Sequence, residues 1–193
     1  MQLLEQRIKK DGKVLPGDIL VVGSFLNQQI DCSLINEMGA DFAKHFASAG
    51  VTKVLTIEAS GIALAAMAAY HLGCNMVFAK KHKSANMTGD TYVAEVRSYT
   101  KNTVNQITVS KKYLLPTDKV LIIDDFLATG SALEGLISLT EQSGATIVGC
   151  GIAIEKCYQG GGDSVRKKGI EVYSQAMVEN MDNNIVSFRT QAK

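Results

Sequence analysis

The chain has 193 residues, a formal charge of +1, 46% hydrophobic residues and only 2 prolines, enough apolar material for one globular domain over 1–193 with a sizeable core. So even a charge balance argues against nucleic acid as a partner. No apolar run approaches the roughly 20 residues of a bilayer-spanning helix, and the opening MQLLEQRIKKDGK is amphipathic without the apolar region of a signal peptide, so neither a membrane nor export is expected and the cytoplasm is. The four cysteines, Cys32, Cys74, Cys150 and Cys157, form no CxxC pair and lie mostly in apolar surroundings, which suits reduced thiols better than a disulfide framework or a zinc site.

In chain order, apolar periodicity predicts a helix over 2–11, a short strand near Ile19–Val22 and a helix from about Ser33 to Ala49, closed by Gly50. A strand over Lys53–Glu58 turns through Ala59, Ser60 and Gly61 into a helix from Ile62 to Leu72, and a strand follows over Asn75–Lys80. The polar stretch KKHKSANMTGD precedes two strand-like runs, TYVAEVRSYT and NQITVS, that read as a hairpin. Strand 120–124, helix 131–143, strand Ala145–Glu155, the turn QGGGD, a short helix to Lys168 and strand Ile170–Ser174 complete the pattern. Strands and helices alternating at this spacing predict an α/β fold with a mainly parallel sheet covered on both faces, whose ligands sit at the carboxyl ends of the strands.

The unusual residues collect at those ends: Glu58-Ala59-Ser60-Gly61, Lys80-Lys81, Asp124-Asp125 and Glu155-Lys156. The stretch VLIIDDFLATGSA sets two acids at the end of an apolar strand. Thr129, Gly130 and Ser131 then offer backbone N–H groups and two hydroxyls at a helix N-terminus, a cradle for phosphate. Acids beside such a cradle suggest a sugar phosphate. Neither a Walker loop, a GxGxxG fingerprint, a GxSxG elbow nor an HExxH pair is present, and His45 and His71 fall within helices as structural histidines. A signalling receiver domain would also carry paired acids, but it needs a phosphoacceptor aspartate where LTIEASG offers Glu58.

VLIIDDFLATGSA resembles the phosphoribosyl pyrophosphate (PRPP) motif of the type I phosphoribosyltransferases. With SFLNQQID (24–31), IEASGIA (57–63), VFAKKHKS (77–84) and IEKCYQGG (154–161), the chain is most similar to the bacterial xanthine phosphoribosyltransferases, a cytosolic, homodimeric group of purine-salvage enzymes. It departs from that group in carrying Thr129-Gly130-Ser131 where Asn-Gly-Gln is usual; Thr-Gly-Ser is common in the wider superfamily. The resemblance implies the type I fold, with the first 35 or so residues contributing to a hood over the base and the inserted hairpin, about 81–110 with Ser98-Tyr99 at its tip, a flexible cover. It implies that Asp124 and Asp125 hold the ribose hydroxyls and that Ala128, Thr129, Gly130, Ser131 and Ala132 bind the 5-phosphate. The main chain of Ala59, Ser60 and Gly61, with Lys80 or Lys81, would take the pyrophosphate. Leu20, Asn27 and Lys156 would line the purine pocket, with Phe126 or Tyr158 stacking on the ring. Mg²⁺ would be held mainly through PRPP and pyrophosphate, with no direct protein ligand. The alternatives are a phosphoribosyltransferase for guanine, hypoxanthine or adenine, and a PRPP-sensing regulator, for which no DNA-binding module is visible.

Overall fold

The computed structural model describes residues 1–81, 89–98, 103–182 and 185–189. Helix α1 (Gln2–Asp11) turns Leu4 and Ile8 inward at i, i+4 spacing. A small hairpin follows, β1 (Lys13–Leu15) against β2 (Ile19–Val21), turning where Gly17 and Asp18 both take positive φ, 83° and 59°. β1 is not among the predicted elements, since three residues next to Pro-Gly-Asp are too few to show alternation. Gly23–Asn27 forms a single π-helical turn that buries Phe25 and Leu26. Helix α2 (Cys32–His45) starts at Asp31, whose carboxylate accepts the Leu34 N–H at 3.1 Å, the N-cap bond that an aspartate makes well. The predicted extension to Ala49 is a separate 3₁₀ turn, Ala47–Ala49, ended by left-handed Gly50.

The central sheet contains β3 (Lys53–Ile57), β4 (Asn75–Ala79), β7 (Lys119–Leu127), β8 (Thr146–Lys156), β9 (Val172–Asn180) and β10 (Ser187–Phe188), in the order β10-β9-β8-β7-β3-β4. All neighbours are parallel except β10 on β9. Helix α3 (Gly61–Leu72) crosses from β3 to β4, α4 (Ser131–Ser143) from β7 to β8, and the short α5 (Gly161–Arg166) precedes β9. Strand residues alternate between two cores. Val54, Leu121 and Ile123 pack with α1, α2 and α3; Leu55, Ile57, Val120 and Ile122 pack on the opposite face with α4. Both faces are covered, as a parallel sheet requires.

Two strand ends differ from expectation. β7 does not stop at Asp124 but runs to Leu127, because β8 stays in register beside it through Asp124↔Ile152, Phe126↔Ile154 and Leu127↔Glu155. β9 continues to Asn180, well past Ser174, held by β8 and then by β10.

The inserted hairpin is β5 (Thr91–Ser98) against β6 (Thr103–Ser110), antiparallel throughout. Its described part is anchored rather than free-standing. Ala94, Ile107 and Val109 are buried in the second core, and Gly135 on α4 lacks the β-carbon that would stand 2.5 Å from Val96 Cγ2. The expected tip at Tyr99 lies outside the described residues, as does His82. His45 reaches Glu171 at 2.7 Å and stacks on Tyr173, and His71 reaches Asn36 at 2.9 Å, so both are structural.

Candidate functional site

The crossing order β8-β7-β3 places the carboxyl end of β7 beside that of β3, so the acids of one strand meet the turn after the other. Asp125 is 7% exposed; its Oδ1 accepts the Ser60 hydroxyl at 2.9 Å and its Oδ2 accepts the Asn27 amide at 3.4 Å. Three residues expected to serve ribose, pyrophosphate and base therefore form one cluster. Asp124, 5% exposed, accepts the Asp125 N–H at 3.0 Å. Burial, and then the charge of Asp125, raises the Asp124 carboxyl well above the usual carboxylate range, with the Lys81 charge opposing.

The turn Ala59-Ser60-Gly61, entered through a cis Glu58–Ala59 peptide, opens α3 against the acids. A β-carbon on Gly61 would stand 2.2 Å from Thr56 Oγ1 and 3.2 Å from Asp124 Oδ1, so this approach needs glycine. The two candidate lysines part company. The Lys81 N–H donates to Glu58 Oε1 at 2.6 Å, and its charge acts on Asp124. Lys80 pairs its main chain with Thr108 and lines a separate cavity of about 540 Å³ between β4 and β6, with Lys53, Lys112 and Tyr113.

Residues Ala128 to Ala132 carry the chain from β7 into α4. Gly130, at φ 90°, is the N-cap, and Ser131 and Ala132 begin a helix of 13 residues whose positive end faces the loop. The loop is backed by the glycine-rich turn after β8: the Gly161 N–H donates to the Ala128 carbonyl at 3.1 Å, and a β-carbon on Gly130 would lie 3.3 Å from Gly161 Cα. Thr129 is exposed. The sequence marks QGGGD as a turn; its packing on the loop follows only from the β7–β8 pairing.

At the end of β8, Lys156 is half-buried and its ammonium donates to the Asp18 carbonyl at 2.5 Å. Burial lowers its pKa, and the Asp18 charge opposes that. The same pressures, burial first and then Asp18, raise the Tyr158 hydroxyl, and the ring is 41% exposed. Leu20 is buried in the first core with α1 and α2, and Phe126 packs against that core from its edge. Glu155, expected on the rim with Lys156, is instead 1% exposed and turned inward, where Arg166 grips it with both terminal nitrogens at 2.8 and 2.7 Å. Strand alternation sends neighbours to opposite faces, so only Lys156 reaches the rim.

Paired buried acids beside a glycine-capped helix N-terminus at the carboxyl edge of a mainly parallel sheet place the chain among the α/β proteins whose ligand site lies at the strand ends. The sequence profile of the phosphoribosyl transferase domain matches residues 23–192, and the chain belongs to that family. It is 52% identical over 188 residues to the xanthine phosphoribosyltransferase of Ruminiclostridium cellulolyticum, covering 97% of this chain and 99% of that one. The Bacillus cereus xanthine phosphoribosyltransferase is 50% identical, covering 97% and 95%. Among solved structures, the adenine phosphoribosyltransferase of Trypanosoma brucei, in complex with AMP, pyrophosphate and ribose-5-phosphate, superposes with a TM-score of 0.77 at 19% identity, covering 94% of this chain and 82% of that one. The Rhodothermus marinus adenine enzyme gives 0.73 at 24%, covering 92% and 100%. These structures share the type I fold.

Proposed function

We propose that this protein transfers the phosphoribosyl group of PRPP to xanthine, giving xanthosine 5′-monophosphate and pyrophosphate. The observation that carries the reading is the cluster Ser60–Asp125–Asn27, which joins the pyrophosphate turn, the ribose acid and the base segment within hydrogen-bond reach. The identity of about half to xanthine enzymes over nearly the whole length supports the choice of base.

In this reading the 5-phosphate lies on the amides of 128–132 at the α4 N-terminus, and Asp124 and Asp125 accept the ribose 2′ and 3′ hydroxyls. The main chain of Ala59–Gly61 and the Lys81 ammonium face the pyrophosphate. As the glycosidic carbon loosens its bond to pyrophosphate, positive charge grows on the sugar, and the negative charge carried by the buried acid pair stabilises it in a medium where little water screens the pair. The purine nitrogen then bonds to the same carbon, so no enzyme nucleophile is needed.

Among the described residues no three of His, Cys, Asp and Glu gather around one point. In this reading Asp124 and Asp125 would help to hold a cation that arrives with PRPP. With Asp124 and Asp125 beside it, a bound Mg²⁺ would supply positive charge for the departing pyrophosphate.

The base reading rests on Lys156, tied to the β1–β2 turn at Asp18, with Leu20 on β2 and Asn27 at Asp125 assigned to the same pocket. Xanthine carries an oxygen at C2 and loses a proton readily, so an ammonium at that edge favours it over guanine. The segment up to about residue 35 would then roof the base as part of a single 1–193 domain. A homodimer in the cytoplasm is the expected setting; among the described residues no helix is long and apolar enough to cross a membrane.

The deciding experiment measures pyrophosphate release from PRPP and Mg²⁺ with xanthine, guanine, hypoxanthine and adenine in turn. Xanthine should give the highest kcat/KM. A higher value for another purine moves the assignment to that base, and no release with any purine overturns it.

A further inference from the structure

The phosphate loop is not held by its own sequence alone. Behind it stands α5, whose first residue, Gly161, donates to the Ala128 carbonyl at 3.1 Å. A β-carbon on Gly161 would fall 2.4 Å from that carbonyl, 2.5 Å from the Gly130 nitrogen and 2.6 Å from the Thr129 carbonyl carbon, so the two backbones touch with no room for a side chain. The next residue meets an ion pair whose acid is buried: a β-carbon on Gly162 would stand 1.9 Å from Glu155 Oε1 and 2.7 Å from Arg166 Nη1.

That pair is fixed from several sides. Arg166 forks Glu155 at 2.8 and 2.7 Å and adds a bond to the Val172 carbonyl at 3.3 Å, while the Ser174 hydroxyl donates to Glu155. Just beyond α5, Lys168 is ion-paired with Glu134 in the first turn of α4, so the segment is fastened to the helix that the loop begins. A planar, bidentate Arg–carboxylate pair holds direction as well as distance.

From this we infer that the Glu155–Arg166 pair acts, through Gly162 and Gly161, as the backing that sets the amide directions of loop 128–130, and that Gly161 and Arg166 are positioning residues for the sugar phosphate. The inference rests on the reading that this loop takes the 5-phosphate. Neither residue touches the substrate. Their effect is to keep the Gly130 and neighbouring amides converged before the anion arrives, which is where preorganisation raises affinity.

The test is calorimetric titration of ribose 5-phosphate, together with KM values for PRPP and xanthine, on wild type, Gly161→Ala and Arg166→Lys. In Gly161→Ala the affinity for ribose 5-phosphate should fall on the order of tenfold or more, while the KM for xanthine stays within about twofold. Arg166→Lys keeps the charge but loses the fork, and should raise the PRPP KM by about threefold to tenfold, again with little change for xanthine. A merely structural role would lower Tm and raise both KM values together. If Gly161→Ala does not fold, Arg166→Lys decides. Unchanged ribose 5-phosphate affinity in a folded Gly161→Ala, or proportional rises in both KM values in Arg166→Lys, overturns the positioning role. A wild type that binds no ribose 5-phosphate overturns instead the phosphoribosyl reading on which it rests.

Discussion

Ser60 donates its hydroxyl to Asp125 at 2.9 Å, across 65 residues of chain and two neighbouring strands. The contact sets the turn that would hold the leaving pyrophosphate at hydrogen-bond distance from the acid that would face the sugar, so departure and charge development share one group. Asp125→Asn keeps an oxygen for Ser60 while removing the charge and the long 3.4 Å contact from the Asn27 amide, which would then face a second NH2. Turnover should drop by about 10²-fold, the scale for losing one electrostatic stabiliser of a transition state. Tm should stay near that of wild type. Steady-state kinetics within twofold of wild type would show that the carboxylate charge is not used.

Asp124 makes the opposite bargain between stability and function. Its carboxyl is raised by burial first and by the Asp125 charge second. The folded state therefore binds a proton that the unfolded chain releases near pH 4, and this group's contribution falls as pH rises from there toward its folded pKa. Asp124→Asn removes that penalty while keeping an acceptor for the Asp125 N–H. Thermal melts at pH 7 to 8 should show the variant more stable than wild type, by on the order of 2–4 °C for each kcal/mol recovered in a domain this size. The gap should close as pH falls toward 4, and activity should be largely lost. An equal or lower Tm at neutral pH would mean that the carboxylate is not held at an electrostatic cost.

Much of this arrangement was readable from residue order. Alternating strands and helices define the layers, and Asp124-Asp125 followed by Thr129-Gly130-Ser131 marks the end of β7 and the start of α4, because both signals are local. What could not be read depends on which strands become neighbours. The meeting of Ser60 with Asp125 requires β3 beside β7, and the packing of Gly161 on Gly130 requires β8 on the other side of β7. Glu155 looked like a rim residue because strand alternation alone does not say which of two adjacent polar residues turns inward. Arg166, 11 residues later, settles it.

Thr56 provides a test of packing beneath the site. Its hydroxyl is fully buried, has no hydrogen-bond partner among the described residues and sits against Gly61. Thr56→Val has nearly the same shape and deletes an unsatisfied polar atom, whose burial costs about 1–3 kcal/mol. The variant should melt at or above the wild-type temperature with PRPP KM nearly unchanged. A lower Tm would show that the hydroxyl has a partner in solution, most simply a water molecule, and a raised PRPP KM would place that partner in the binding site.

Lys156 tests the base. It is half-buried, lowered in pKa by that burial, and anchored to the Asp18 carbonyl at 2.5 Å, so its ammonium is already positioned between the end of β8 and the β1–β2 turn. An anionic purine at this edge favours the charged form that burial disfavours. Lys156→Gln keeps reach and a donor but deletes the charge. A charged hydrogen bond is worth roughly 1.5–3 kcal/mol against about 1 for a neutral one, so xanthine should lose on the order of tenfold or more in kcat/KM while guanine and hypoxanthine lose less. PRPP affinity measured without base should hold nearly constant, because the lysine is assigned to the purine and not to the phosphates. Equal proportional losses for all three bases would instead place Lys156 on the chemistry they share, or make it simply the tie that holds the β1–β2 turn to the sheet.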